Sequence, residues 1–325
     1  MKEFQNIRTG VIGVGSMGQN HARVYDKISN LAGVSDYDKN QGNEIAQRFG
    51  VPFFENYEDM LDKVDAVSVA VPTVIHHEVC IKVANSSTHF IVEKPLSDNL
   101  DKASQIVNAA NKNSVTMAVG HIERHNPVVS FAKKCIDNQE WGQIITLSSQ
   151  RVSKYPYRIK DVGVILDLAS HDIDVIRYLS QSNVNKIFAI GGRMENSEKE
   201  DHSSILLNFE NGINGYCEVS WLTPMRVRKL TITCTKAYVV LDFANQEIRA
   251  SKSNLLNVNN QDLSKIDQEI ETIPYEISKA EPLELELIDF LNAVKYSKKP
   301  LVTGEEGLEN VRLAEQALQY INKLK

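Results

Sequence analysis

Between residues 7 and 121 the chain alternates short apolar runs with helix-length amphipathic stretches, and this alternation restricts the possible folds more than any other feature. The runs are IRTGVIGV, LAGVSD, DAVSVAVP, HFIVEKP and VTMAVGH. They are rich in Val and Ile and almost continuously apolar, as strands must be when helices cover both faces of their sheet. Consecutive βαβ units and a doubly wound parallel sheet are therefore expected. Between the runs, residues 38–49 read as a helix closed by Gly50, and residues 98–112 as another with Asp98 at its N-cap. Pro52 allows no more than a short edge strand at its position.

After His121 the texture changes. GQIITLSSQRVS, NKIFAIGGRM, HSSILLNFENGINGYCEVSWL and RKLTITCTKAYVVLDF carry strand-type residues with few helices between them, which predicts a large, mainly antiparallel sheet. Asn211-Gly212 reads as a tight primed turn with positive φ at both central positions. A helix over residues 164–179 interrupts this section. Two more, over residues 284–294 and 305–324, end the chain, the last with Thr303 and Glu306 as a capping box. Residues 254–260, rich in Asn, read as a surface loop. A chain of 325 residues ordinarily makes about two domains. The expected α/β organisation is an N-terminal doubly wound domain over residues 1–122 and a C-terminal α+β domain over residues 123–325.

Composition narrows the partners. The formal net charge of -6 comes from 42 acidic and 36 basic residues without a dense basic cluster, which argues against nucleic acid. Cys80, Cys135, Cys217 and Cys234 form no C-x-x-C pair, so they read as free thiols in a reducing compartment, and no metal is expected. No apolar run approaches the roughly 18 residues of a membrane span, and MKEFQNIRTG lacks the layout of a secretory signal. A cytoplasmic protein with no membrane partner is expected.

Gly13, Gly15 and Gly18 have G-x-G-x-x-G spacing after the first predicted strand and at the opening of the first predicted helix, with Ser16 and Met17 completing the turn. Gly13 permits the tight turn, Gly15 lets backbone amides approach a pyrophosphate, and Gly18 allows helix to pack closely on strand. The helix N-terminus adds partial positive charge. This is the dinucleotide-binding (Rossmann) arrangement. Asp36 ends the second predicted strand, placed to accept hydrogen bonds from the adenosine ribose hydroxyls and to repel a 2′-phosphate, so NAD is expected over NADP. Asp38 competes for that role, and Lys39 lies nearby.

Ligands of open parallel sheets sit beyond the carboxyl ends of the strands. Glu93-Lys94-Pro95 closes one such strand, which places Lys94 to face a nicotinamide and exchange a proton with a substrate hydroxyl. Pro72 and Thr73 close another and His76 begins the next helix, so these residues are candidates for cofactor contact together with Glu93. Asp167 and His171 lie four apart and emerge from one face of a helix otherwise so apolar that it must be largely buried. An imidazole there can take a hydroxyl proton while Asp167 orients it or binds the substrate. Asp172 and Asp174 point elsewhere. Arg124 and Asn126 after His121, and the basic, aromatic loop Arg151, Lys154, Tyr155, Tyr157 and Arg158, are candidates for binding a substrate with a diphosphate and a ring. The loop reads equally well as a subunit contact.

The combination GVIGVGSMG, VPTVIHH, VEKPL and GVILDLASHDID resembles the glucose-fructose oxidoreductase, inositol dehydrogenase and rhizopine catabolism (Gfo/Idh/MocA) family over essentially the whole chain. The resemblance implies a dehydrogenase in which Gly13, Gly15, Gly18 and Asp36 bind NAD while Lys94, Asp167 and His171 line the site. One departure is Val162, where a second glycine often precedes the one at Gly163. RVSKYPYRIKDVGVILDLASHDIDVIRYL and VSWLTPMRVRKLTITCT look most like the nucleotide-sugar branch. That likeness implies oxidation of the C3 hydroxyl of UDP-N-acetylglucosamine, ahead of a separate aminotransferase. An inositol or free-sugar dehydrogenase, and a non-catalytic NAD-binding sensor, are the competing expectations. His171 is expected as the base and Lys94 as its electrostatic partner, although the two roles can be exchanged. A homodimer or homotetramer is also implied, with one face of the second sheet covered by another subunit.

Overall fold

The computed structural model describes residues 2–157, 159, 162–195, 198–252 and 271–323. Arg158 and the 254–260 loop therefore lie outside the described residues. The chain separates into two compact units, Met1–Ile122 with Glu281–Glu315, and Glu123–Ala280 with Gln316–Lys325.

In the first unit the alternating runs become β1 (Phe4–Ile12), α1 (Gly18–Ile28), β2 (Ser29–Ser35), α2 (Lys39–Phe49), β3 (Phe53–Phe54), α3 (Glu58–Leu61), β4 (Ala66–Val69), α4 (His76–Asn85), β5 (His89–Glu93), α5 (Leu100–Lys112) and β6 (Met117–Gly120). The strands form one parallel sheet in the order β3-β2-β1-β4-β5-β6. Strand order reverses beside β1, and the crevice at that switch point is where such sheets take their ligands. Pro52 leads into the two-residue edge strand expected of it. Asp38 caps α2 by accepting from the Asn40 and Gln41 amides, and Gly50 closes it at φ 64°. The N-cap of α5 is Asn99 rather than Asp98. Asn99 has the extended backbone and accepts from the Lys102 amide, whereas the Asp98 carboxylate pairs with the Lys102 ammonium at 3.1 Å.

Residues 281–315, which the linear reading groups with the C-terminal domain, belong to this first unit. The helix α8 (Pro282–Tyr296) buries Leu283, Leu287, Phe290 and Leu291 in one core with Phe4, Val24, Tyr25 and Ile28. Lys27 pairs with Glu284 at 2.6 Å, and Arg23 pairs with Glu281. At the start of the last helix, α9 (Gly304–Lys323), Thr303 Oγ1 accepts from the Glu306 amide at 3.4 Å.

In the second unit, α6 (Pro127–Asp137), β7 (Ile144–Val152) and α7 (Ser170–Ser180) precede β8 (Val184–Gly192), β9 (His202–Phe209), β10 (Asn214–Ser220), β11 (Val227–Cys234), β12 (Ala237–Asp242), β13 (Glu247–Lys252) and β14 (Glu271–Tyr275). They form a sheet in the order β14-β13-β12-β11-β7-β10-β9-β8, antiparallel except where β10 pairs with β7. One face is apolar and buried, as Leu147, Ile205, Leu207, Ile232, Val239 and Leu241 show. On the opposite face Phe188, Ile190, Leu206 and Tyr238 are exposed.

Two local expectations are corrected here. At Asn211-Gly212 only Gly212 has positive φ, and the Gly212 amide donates to the Phe209 carbonyl while the Phe209 amide donates to Ile213. The connection is thus a longer turn ending in a left-handed glycine, a geometry that matches strand twist without two positive φ values. The predicted 164–179 helix opens as a π segment, Ile165–Ala169, before continuing as α7.

Candidate active site

The glycine turn lies where β1 meets α1. Gly13 has φ 84°, and a Cβ there would press on the Ala70 carbonyl at 2.8 Å; a Cβ on Gly18 would sit 1.8 Å from the Gly13 oxygen. Both positions are closed to side chains by backbone. Gly15 is different, since a Cβ there would meet nothing within 4 Å. The open space over Gly15 is the room a pyrophosphate needs to reach backbone amides, so the turn fits the dinucleotide. Asp36 locks the same turn, accepting from the Val14 amide at 2.7 Å and from the Asp38 amide at 2.8 Å. Its carboxylate oxygens retain lone pairs for ribose hydroxyls. Asp38 is engaged in capping α2 and Lys39 in an ion pair with Glu55.

At the end of β5, Glu93 and Pro95 are each held by a buried histidine. His21 Nε2 meets Glu93 Oε1 at 2.9 Å, its Nδ1 meets Ser68 Oγ at 2.8 Å, and Ser68 bonds the Tyr25 hydroxyl at 2.9 Å. His76, expected at the cofactor, instead places Nδ1 at 3.0 Å from the Pro95 carbonyl and Nε2 at 2.9 Å from the Val71 carbonyl. Burial pushes the His76 imidazole down from its ordinary pKa. Burial would raise the Glu93 carboxyl, but the His21 hydrogen bond and the charge of Lys94 hold it below the usual range. The Lys94–Pro95 peptide bond is cis, and Lys94 is partly exposed between its two anchored neighbours. Thr73, at the start of a 3-10 turn capped by Pro72, is buried. Sequence reasoning missed His21. Its signal was an imidazole three positions after Gly18, but its partner lies 72 residues away.

In the second unit, Asp167 and His171 are the two side chains of residues 162–176 that are not buried. The segment therefore presents these two groups and hides its neighbours. Its start is fixed by Glu200, whose backbone carbonyl accepts from the Val164 amide at 2.9 Å and whose Oε1 accepts from the Ile165 amide at 3.1 Å. A Cβ on Gly163 would lie 2.2 Å from that Oε1, which is why a glycine stands there. Burial raises the Glu200 carboxyl, with the backbone amides opposing the shift.

Asp172 and Asp174 point away from this face, into buried ion pairs. Arg124, expected at the substrate, lies on Asp174 through Nε at 2.8 Å and Nη2 at 2.7 Å. Asn126 caps α6 and donates to Glu123 and to the Phe243 carbonyl. Arg151 is not a loop residue. It lies on β7, 1 % exposed, with Nε on Asp172 at 3.1 Å and Nη1 on Glu123 at 2.9 Å. Such charges are buried because they are paired, and both arginines serve the fold. Of the loop proper, Tyr155 packs against Tyr157 and edge-on against Trp221, with ring centroids 5.1 and 5.6 Å apart.

A model described as an oxidoreductase family with an NAD-binding Rossmann fold matches residues 7–121, and the GFO/IDH/MocA C-terminal domain matches residues 129–240. UDP-N-acetylglucosamine 3-dehydrogenase from Acidithiobacillus ferrooxidans is 27% identical over 304 residues, 93% of each chain. A solved structure of that enzyme superposes with TM-score 0.87 at 26% identity, covering 98% of both chains. The NAD-dependent scyllo-inositol 2-dehydrogenase of Bacillus subtilis is 24% identical, covering 94% of this chain and 92% of its own.

Proposed function

Because the chain belongs to the Gfo/Idh/MocA family of oxidoreductases, NAD-binding dehydrogenases of sugar and polyol hydroxyls, we propose that its substrate is UDP-N-acetylglucosamine, oxidised at C3 to the ketone. The match to the Acidithiobacillus enzyme, 93% of each chain with both domains included, carries this reading. The end of the second sheet supports it. Tyr155 and Tyr157 offer aromatic surface backed by the buried Trp221, and Arg228 stands 4.0 Å from Glu123 with Arg151 and Arg226 as neighbours. Burial and these two like charges lower the Arg228 guanidinium to about 10, a situation that a diphosphate would relieve.

When bound, NAD supplies the hydride acceptor. The amides around Gly15 would hold its diphosphate, and Asp36 would accept from the adenosine ribose hydroxyls. We assign the hydroxyl proton to His171 and the orientation of its ring, or of the substrate, to Asp167. Lys94 stabilises negative charge developing on the C3 oxygen as the C3 hydrogen leaves with its electron pair. The exposed Phe188, Ile190, Leu206 and Tyr238 face is assigned to self-association as a dimer or tetramer. We place the enzyme in the cytoplasm; among the described residues no helix is long and apolar enough to cross a membrane.

The test is NADH formation by purified protein offered UDP-N-acetylglucosamine, free N-acetylglucosamine, glucose 6-phosphate and inositols in turn. Reduction with the nucleotide sugar and not with the others is the expected result. Turnover confined to a free sugar or an inositol overturns the substrate assignment. Tight NAD binding with no reduction by any of them favours a sensor.

A further inference from the structure

We propose that His21 and His76 form a two-point clamp that positions Lys94 from either side, His21 through the Glu93 side chain and His76 through the Pro95 carbonyl. This rests on the assignment of Lys94 to the reacting hydroxyl. Neither histidine touches the substrate or the dinucleotide in this scheme, so both are positioning residues.

The residues flanking Lys94 are fixed by partners from two different helices, α1 and α4, that are themselves buried. An ionised carboxylate accepts hydrogen bonds and donates none, so at the His21–Glu93 contact the ring Nε2–H is the donor whatever the ring's charge. The other ring nitrogen is braced by Ser68 on β4, and Ser68 by the Tyr25 hydroxyl. Burial raises the Tyr25 hydroxyl far above its usual pKa, so it remains a proton-bearing partner at the end of the chain. Gly120 on β6 backs Glu93 from the other side, where a Cβ would come within 3.4 Å of Oε2. The titratable groups bearing on Glu93 are His21, Lys94 and His76, with Glu286 of α8 acting on Tyr25. The His76 ring lies between the Pro95 and Val71 carbonyls at the end of the β4 run, and its neutral form donates its one N–H to one of them while packing against the other, which joins the lysine's strand end to its neighbour in the crevice. A reactive side chain held to a fraction of an ångström needs supports of this kind.

The experiment compares His21→Leu, His21→Gln and Glu93→Gln with the unaltered enzyme. Gln is chosen because its amide N–H can reach where Nε2–H does. We expect His21→Leu to lower kcat about 100-fold, the scale of a misplaced catalytic group, while NAD affinity measured by titration stays within about threefold. The acidic limb of its kcat/KM profile should move up by about one pH unit, because a buried Glu93 without its donor protonates more readily. His21→Gln should recover about tenfold of the loss and return the limb. Without any substrate, amide exchange over residues 94–97 should rise about tenfold in His21→Leu and much less in His21→Gln. Should His21→Leu fail to fold, Glu93→Gln should show the same rise in exchange. An unmoved pH limb and unchanged exchange, with activity lost only in proportion to a lower Tm, would overturn the clamp. If none of the offered sugars or inositols supports NAD reduction by the unaltered protein while the exchange results appear, the proposed function fails and the clamp stands.

Discussion

An added methyl at Gly15 would touch no protein atom within 4 Å, whereas one at Gly18 would lie 1.8 Å from the Gly13 carbonyl oxygen. Gly15→Ala should therefore fold normally, with Tm within about 1 °C, yet weaken NAD by about tenfold or more, roughly 1.4 kcal/mol. Gly18→Ala should lose about 2 kcal/mol of stability by forcing backbone apart. Thermal melts and NAD titrations of the two variants check this; equal losses of stability would show that the space over Gly15 is not what it contributes. The glycine spacing and Asp36 were legible in the sequence because the turn they form closes within two dozen residues. The ring of His21 was not, because nothing adjacent to it announces a carboxylate 72 positions on. Arg124 and Arg151 misled for the related reason that a guanidinium looks the same in sequence whether it awaits a ligand or answers Asp174 and Asp172 in the core.

The π segment and α7 show what an element must do to present two polar groups and bury the rest. Apolar periodicity revealed the helix and its buried side, but not the π turn, which depends on how Glu200, from the strand connection, meets the first amides. Gly163 and Glu200 should accordingly behave as one unit. Gly163→Ala is expected to lower kcat/KM by about tenfold and stability by about 1–3 kcal/mol through displacement of the carboxylate. The double variant with Glu200→Ala should fall short of the sum of the single effects by about 1 kcal/mol or more. Full additivity in urea melts would mean that the carboxylate does not hold this turn. The hairpin at Gly212 makes a related point, since Asn-Gly announces a reversal while the number of residues in it is set by the register of the paired strands.

For the molecule as a whole, buried neutral histidines govern how it tolerates acid. Burial pushes the His125 imidazole down to about 4, with Asp174 opposing and Arg124 adding to the shift, and His76 is lowered in the same sense. A folded pKa below the unfolded 6.5 means that unfolding takes up a proton. The stability the His125 ring confers is complete above 6.5 and is lost as pH falls through the window toward about 4, and that of His76 is lost in the same direction. His125 contributes a slope of about 1.4 kcal/mol per pH unit, or some 3 kcal/mol across its window. Urea unfolding at a series of pH values should show this decline, and His125→Gln should remove about one proton from its slope. An identical slope in the variant would show that His125 is not buried in its neutral form. The parallel sheet and the second, mainly antiparallel sheet were legible, because they follow from local periodicity. The return of residues 281–315 to the first unit was not, since an amphipathic helix states which face it will bury but not against what.

That return has a consequence during synthesis. A nascent chain that has emerged only as far as β6 holds every strand of its first sheet yet lacks Leu283, Leu287, Phe290 and Leu291, so Phe4, Tyr25 and Ile28 stay without their cover. The ribosome must translate the entire intervening sheet before that wound is closed, and a truncation ahead of α8 leaves a sticky half-domain for chaperones or proteases to find.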